Sequence, residues 1–71
     1  MTTDVEVPPV VRLINDVAAQ FGHRPPDEGA AAVAAHVRMF WEPRMRAALA
    51  AHVASGGVGL DPLAARAAGL L

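Results

Sequence analysis

The chain has 71 residues, with six arginines, no lysine, no cysteine and a formal net charge of −1. A chain this short makes at most one small domain and buries only about 60% of the surface its unfolded form exposes. Without cysteine, disulfides, iron–sulfur ligation and thiolate zinc sites are excluded, and a near-neutral chain without a basic stripe lacks the electrostatic footprint of a nucleic-acid binder.

The first eight residues, Met1 to Pro8, read as an extended N-terminal arm, with residues 9–71 as a single helical domain. The opening Met1-Thr2-Thr3-Asp4-Val5-Glu6 is acidic and carries no apolar core segment, which does not fit a signal peptide. No apolar run approaches the ~20 residues of a membrane helix, so the expectation is a cytoplasmic protein.

Pro8-Pro9 suits a helix start, because proline's missing N–H has no partner in the first turn in any case. From Pro9 to Phe21 the apolar positions Val10, Leu13, Ile14, Val17, Ala18 and Phe21 recur at helical intervals. Gly22 is a natural stop. After the connector His23-Arg24-Pro25-Pro26, Asp27 and Glu28 place negative charge at the start of a second helix, which favours its dipole. That helix is predicted to run to about Trp41, with Ala30, Val33, Ala34, Val37, Phe40 and Trp41 as its stripe and Gly29 as a modest weakness in its first turn.

Pro43 removes a backbone donor and disfavours helical geometry at Glu42, so the helix breaks or kinks at Glu42-Pro43. A third helix from Pro43 to about Ala54 has the stripe Met45, Ala48, Leu49, His52 and Val53. One long kinked helix from Asp27 to Ala54 is the alternative. Ser55-Gly56-Gly57-Val58-Gly59 is a stop, and Asp61-Pro62 reads as an N-cap and first residue of a short helix to about Ala68. The predicted architecture is all-α: three helices and a short fourth C-terminal one.

Apolar residues make up 54% of the chain, much of it alanine. Alanine favours helices but buries little area per residue. This is more small apolar surface than one tiny core can hide, which points to an extended interface, although compositional bias alone would also enrich alanine.

The polar residues do not assemble a catalytic constellation. His23, His36 and His52 lie in a loop and on two different helices, and no HExxH pattern or other helical ligand pair is present. The carboxylates are dispersed and mostly near helix starts, where capping and dipole effects account for them. Ser55 is the only serine and no phosphate-binding glycine loop exists. A helix-turn-helix reading fails because the third helix is alanine-rich, with few side chains able to read bases.

The most informative stretch is Phe40-Trp41-Glu42-Pro43-Arg44-Met45-Arg46. Aromatic bulk beside arginine is the usual make-up of a protein-binding anchor, with guanidinium groups free to grip carboxylates in a bidentate manner. The same aromatics could equally plug the core where two helices meet. The two readings combine if Phe40 points inward and Trp41 and Arg44 outward.

Three segments resemble the delta subunit of bacterial NAD-dependent, molybdenum-containing formate dehydrogenase. Val11-Arg12-Leu13-Ile14-Asn15-Asp16-Val17 is similar to that family's opening helix. Ala35-His36-Val37-Arg38-Met39-Phe40-Trp41-Glu42-Pro43-Arg44-Met45-Arg46 is similar to its signature, and Gly59-Leu60-Asp61-Pro62-Leu63 to its closing turn. The resemblance implies a non-catalytic accessory chain docked on the large catalytic subunit. The molybdenum pterin, iron–sulfur clusters, flavin and NAD would then belong to the partner subunits, with no cofactor, metal or catalytic residue in this chain. It makes Arg12, Asn15, Arg38, Phe40, Trp41, Arg44 and Arg46 the candidate protein-interaction residues. The alternatives are a transient chaperone for molybdenum cofactor insertion, or a self-associating helical module that forms homo-oligomers.

Overall fold

The computed structural model describes residues 7–71, so most of the expected arm, residues 1–6, lies outside the described residues. Four helices follow one another: α1 (Pro9–Gln20), α2 (Pro26–Phe40), α3 (Pro43–Ala54) and α4 (Pro62–Ala68). No strand occurs among the described residues. Each helix opens on its proline. The residue before each one is held extended, with ψ between 144° and 154° at Pro8, Pro25, Glu42 and Asp61. The proline ring clashes with a helical predecessor, so the start of every helix is set by a local steric rule.

That rule decides between one kinked helix and two. Trp41 (ψ 139°) and Glu42 (ψ 154°) are both extended, so α2 and α3 are separate helices joined at a sharp corner. α2 ends at Phe40, one residue before its expected end. Trp41 caps it by donating its backbone N–H to the Val37 carbonyl at 2.9 Å.

The core lies between α1, α2 and α4, with α3 laid against α1 and α4. Val10, Ile14, Val17 and Ala18 of α1 meet Ala30, Val33, Ala34 and Val37 of α2 and Ala64 and Ala67 of α4. The stripe of α1 is shifted from its expected position: Val11 is buried and Leu13 is 43% exposed. The buried face centres on Ile14, and Val11 lies closer to that line than Leu13 does at 100° per residue.

Gly29 is a close-packing position. A Cβ there would stand 3.1 Å from the Phe21 carbonyl oxygen and 3.2 Å from Leu63 Cδ1, so glycine lets α2 pass close to the end of α1 and to α4.

α3 departs furthest from its expected stripe. Leu49 alone is buried and Met45 and His52 are half-buried, while Ala48 and Val53 face solvent. Alanine is small enough to sit on either side of a helix, so a helix built mostly of it takes its orientation from its one large aliphatic residue.

The segment between α3 and α4 turns on Gly56, Gly57 and Gly59, all at positive φ. Asn15 clamps it to α1. The Asn15 Nδ2 donates to the Gly59 carbonyl at 2.9 Å, and its Oδ1 accepts from the Asp61 N–H at 2.8 Å. The Asp61 carboxylate in turn caps α4 by accepting the Leu63 N–H at 3.0 Å.

Candidate docking interface at the α2–α3 corner

The corner takes its shape from Pro43 and its packing from Trp41. The indole enters the core and is 8% exposed, whereas Phe40 is 66% exposed. This reverses the expected orientation of the pair, Phe40 inward and Trp41 outward. The helical step of 100° ends at Phe40, and the extended backbone at Trp41 swings its ring back under the helix end. The inward position goes to the larger ring.

Phe40 does not stand alone. Its ring centroid lies 4.9 Å from that of His36, one turn earlier, at an interplanar angle of 48°. Met39, which sequence reasoning passed over, is 73% exposed. His36, Met39 and Phe40 thus form an apolar ledge along one flank of the end of α2. The only sequence signal for Met39 was its place off the apolar stripe.

The other flank is basic. Arg38 lies 200° around the helix from Phe40, at 100° per residue, and donates from Nη2 to the Leu70 carbonyl, tying the chain beyond α4 to α2. Arg46, half-buried in the first turn of α3, lines a recess of about 300 Å³ together with Arg38, Pro43, Ala47 and Leu71. Arg44 is exposed on the outer side of α3.

The remaining candidates lie elsewhere. Arg12 is exposed on α1 and makes no hydrogen bond or ion pair among the described residues. Asn15 is occupied by the clamp on Gly59 and Asp61, which gives it a structural task. Of the seven candidates, the structure brings Arg38, Phe40, Trp41, Arg44 and Arg46 to one corner, leaves Arg12 and Asn15 outside it, and turns Trp41 inward rather than outward.

Among the described residues, no three histidine or acidic side chains come close enough together to hold a metal ion. Among the described residues, no helix is long and apolar enough to cross a membrane.

The described residues form a small all-α fold whose α2–α3 corner exposes apolar and basic side chains. The family model of the NADH-dependent formate dehydrogenase delta subunit, FdsD, matches residues 9–68, and the chain belongs to that family. Neither the curated proteins nor the solved structures return a match to it.

Proposed function

We propose that this chain is a non-catalytic accessory subunit that docks on the large molybdopterin subunit of a cytoplasmic NAD-dependent formate dehydrogenase and supports its assembly and stability. In this reading the molybdenum pterin, iron–sulfur clusters, flavin and NAD are bound by the partner subunits. Family membership supports the association with formate dehydrogenase. One structural observation supports the mode: Phe40, two-thirds exposed, stands beside the still more exposed Met39.

Burying a large apolar side chain contributes about 1.5–3 kcal/mol relative to leaving it in water. A chain with so small a core loses that contribution twice at adjacent positions unless another surface covers them. Phenylalanine and methionine are also enriched at the desolvated centres of interfaces. α3 adds to the picture, because Ala47, Ala50, Ala51 and Ala54 are exposed on its outer side and allow a close approach.

The test is co-purification of the tagged chain with the catalytic subunit, wild type against a Met39→Asp, Phe40→Asp double variant. The wild type is expected in the purified active enzyme at one copy per catalytic subunit. The variant is expected to keep its helicity and to be lost from the complex. Retention of the variant at full stoichiometry would remove the docking role of the ledge. An active enzyme that purifies without the wild-type chain would make it a transient assembly factor instead.

A further inference from the structure

α2 carries a second apolar face besides the one it buries. At 100° per residue, Glu28, Ala32 and Met39 lie within about 40° of one another round the helix, with Ala35 and His36 on either side of that line and Phe40 beside His36. The buried Ala30, Val33, Ala34 and Val37 point the opposite way. Glu28, Ala35, Met39 and Phe40 are exposed, and Ala32 and His36 are half-buried. Between Gly29 and Phe40 the only arginine or carboxylate is Arg38, about 100° off this face. A helix that is apolar on both sides is built to be covered on both.

Two gradients run along the outer face. Its first half is small, with Ala32 and Ala35, and its second half is bulky, with Met39 and Phe40. Charge changes in the same direction. α2 begins with Asp27 and Glu28, while the corner that ends it sets Arg38, Arg44 and Arg46 against Glu42. Asp27 is paired with Arg66, but neither Glu28 nor Arg44 makes an ion pair among the described residues. Two such helices side by side in parallel set bulk against bulk and like charge against like. Antiparallel, each bulky end meets the other's alanines, each acidic end lies near the other's arginines, and the helix dipoles oppose.

We propose that the free chain pairs with a second copy of itself through this face, α2 against α2, antiparallel about a two-fold axis. The register that lays Phe40 of one copy over Ala32 of the other puts the axis beside Ala35 and His36. The same register brings Glu28 of each copy level with Arg44 of the other. Such an isologous contact uses the same patch on both copies and closes at two. The apposed segment, Glu28 to Phe40, is about 18 Å long at 1.5 Å per residue. That is short of a standard interface, so the dimer is weak and comes apart on dilution. The inference goes beyond docking on the catalytic subunit and does not rest on it. The dimer is the form in which Met39 and Phe40 are covered while that subunit is absent, and the two occupants compete for the ledge.

The experiment is sedimentation equilibrium of the isolated full-length chain from about 10 μM to about 1 mM, with circular dichroism showing that each variant keeps its helicity. The wild type is expected to pass from monomer to dimer across that range. Ala35→Glu, at an exposed position beside the axis, is expected to weaken the dimer at least about tenfold. Glu28→Arg and Arg44→Glu are each expected to weaken it about tenfold, because the pair occurs twice, and the double variant to recover the wild-type affinity. The chain has no cysteine, so Ala35→Cys reports on the axis directly. It is expected to link to its own copy under mild oxidation, whereas Ala31→Cys, exposed but about 80° off the face, is not. A wild type that stays monomeric, or an Ala35→Glu variant that pairs as tightly, would overturn the dimer. No recovery in the double variant, or equal linking at positions 31 and 35, would overturn the antiparallel register. Co-purification with the catalytic subunit separates the two ideas. If the wild type stays monomeric while the Met39→Asp, Phe40→Asp variant is lost from the enzyme, only the dimer fails; if the dimer forms and that variant is retained, only docking by the ledge fails.

Discussion

Trp41→Ala should unfold or nearly unfold the isolated chain, whereas Phe40→Ala, one residue away, should leave its stability almost unchanged. The indole is in contact with the core formed by α1, α2 and α4 and is 8% exposed. Removing a buried tryptophan costs about 3–5 kcal/mol, as lost apolar transfer plus the cavity left behind. A native chain of this length has a total stability of only about 4–10 kcal/mol, so the single change consumes much or all of it. Phe40 is 66% exposed, and surface substitutions away from special features stay within about 0.5 kcal/mol. Urea unfolding followed by far-UV circular dichroism measures both variants on one scale, with an unchanged urea dependence confirming that the same transition is compared. A Trp41→Ala variant that unfolds at the wild-type midpoint would refute the buried indole. It would return Trp41 to the solvent-facing anchor role its sequence context suggested.

Two further outcomes follow from the clamp and its loop. Asn15→Ala removes the hydrogen bonds to Gly59 and Asp61 and should cost about 1–3 kcal/mol at about 0.5–1.5 kcal/mol per bond; thermal unfolding would show it, with hydrogen exchange rising at the Asp61 amide. Gly59→Ala faces both a positive φ of 87° and a Cβ placed 3.0 Å from Val7 Cγ1. It should destabilise by more than about 1 kcal/mol in chemical denaturation, and a neutral result would show that the loop relaxes freely.

Three helix starts were legible because they are written in residues whose covalent structure imposes one backbone geometry: Pro9, Pro43 and Pro62; Pro26, read as part of the connector, opens α2 by the same rule. The buried faces of α1 and α2 were also legible, apart from the exchange of Val11 for Leu13, because valine and isoleucine contrast sharply with their polar neighbours. Contrast is what α3 lacks. With alanine at most positions, periodicity carries little signal there, and only Leu49 reveals its inward side. The orientation of Phe40 and Trp41 was hidden for a different reason. They straddle a helix end, where the angular step between successive side chains changes from helical to extended. Asn15 was read as an interaction residue, yet it bonds to groups 44 and 46 residues away. No local pattern announces a partner that distant.

The proline at the head of every helix also bears on how much sequence change the fold can absorb. Because each segment is phased from its first residue, its interior need not carry the information about where it begins. That frees long stretches to be simple, as the alanine runs of α2 and α3 are, without the chain losing its register. The corner is where this economy is most exposed. With Pro43 replaced, the barrier to continuing α2 through Glu42 disappears, and with it the bend that folds α3 back against α1 and α4.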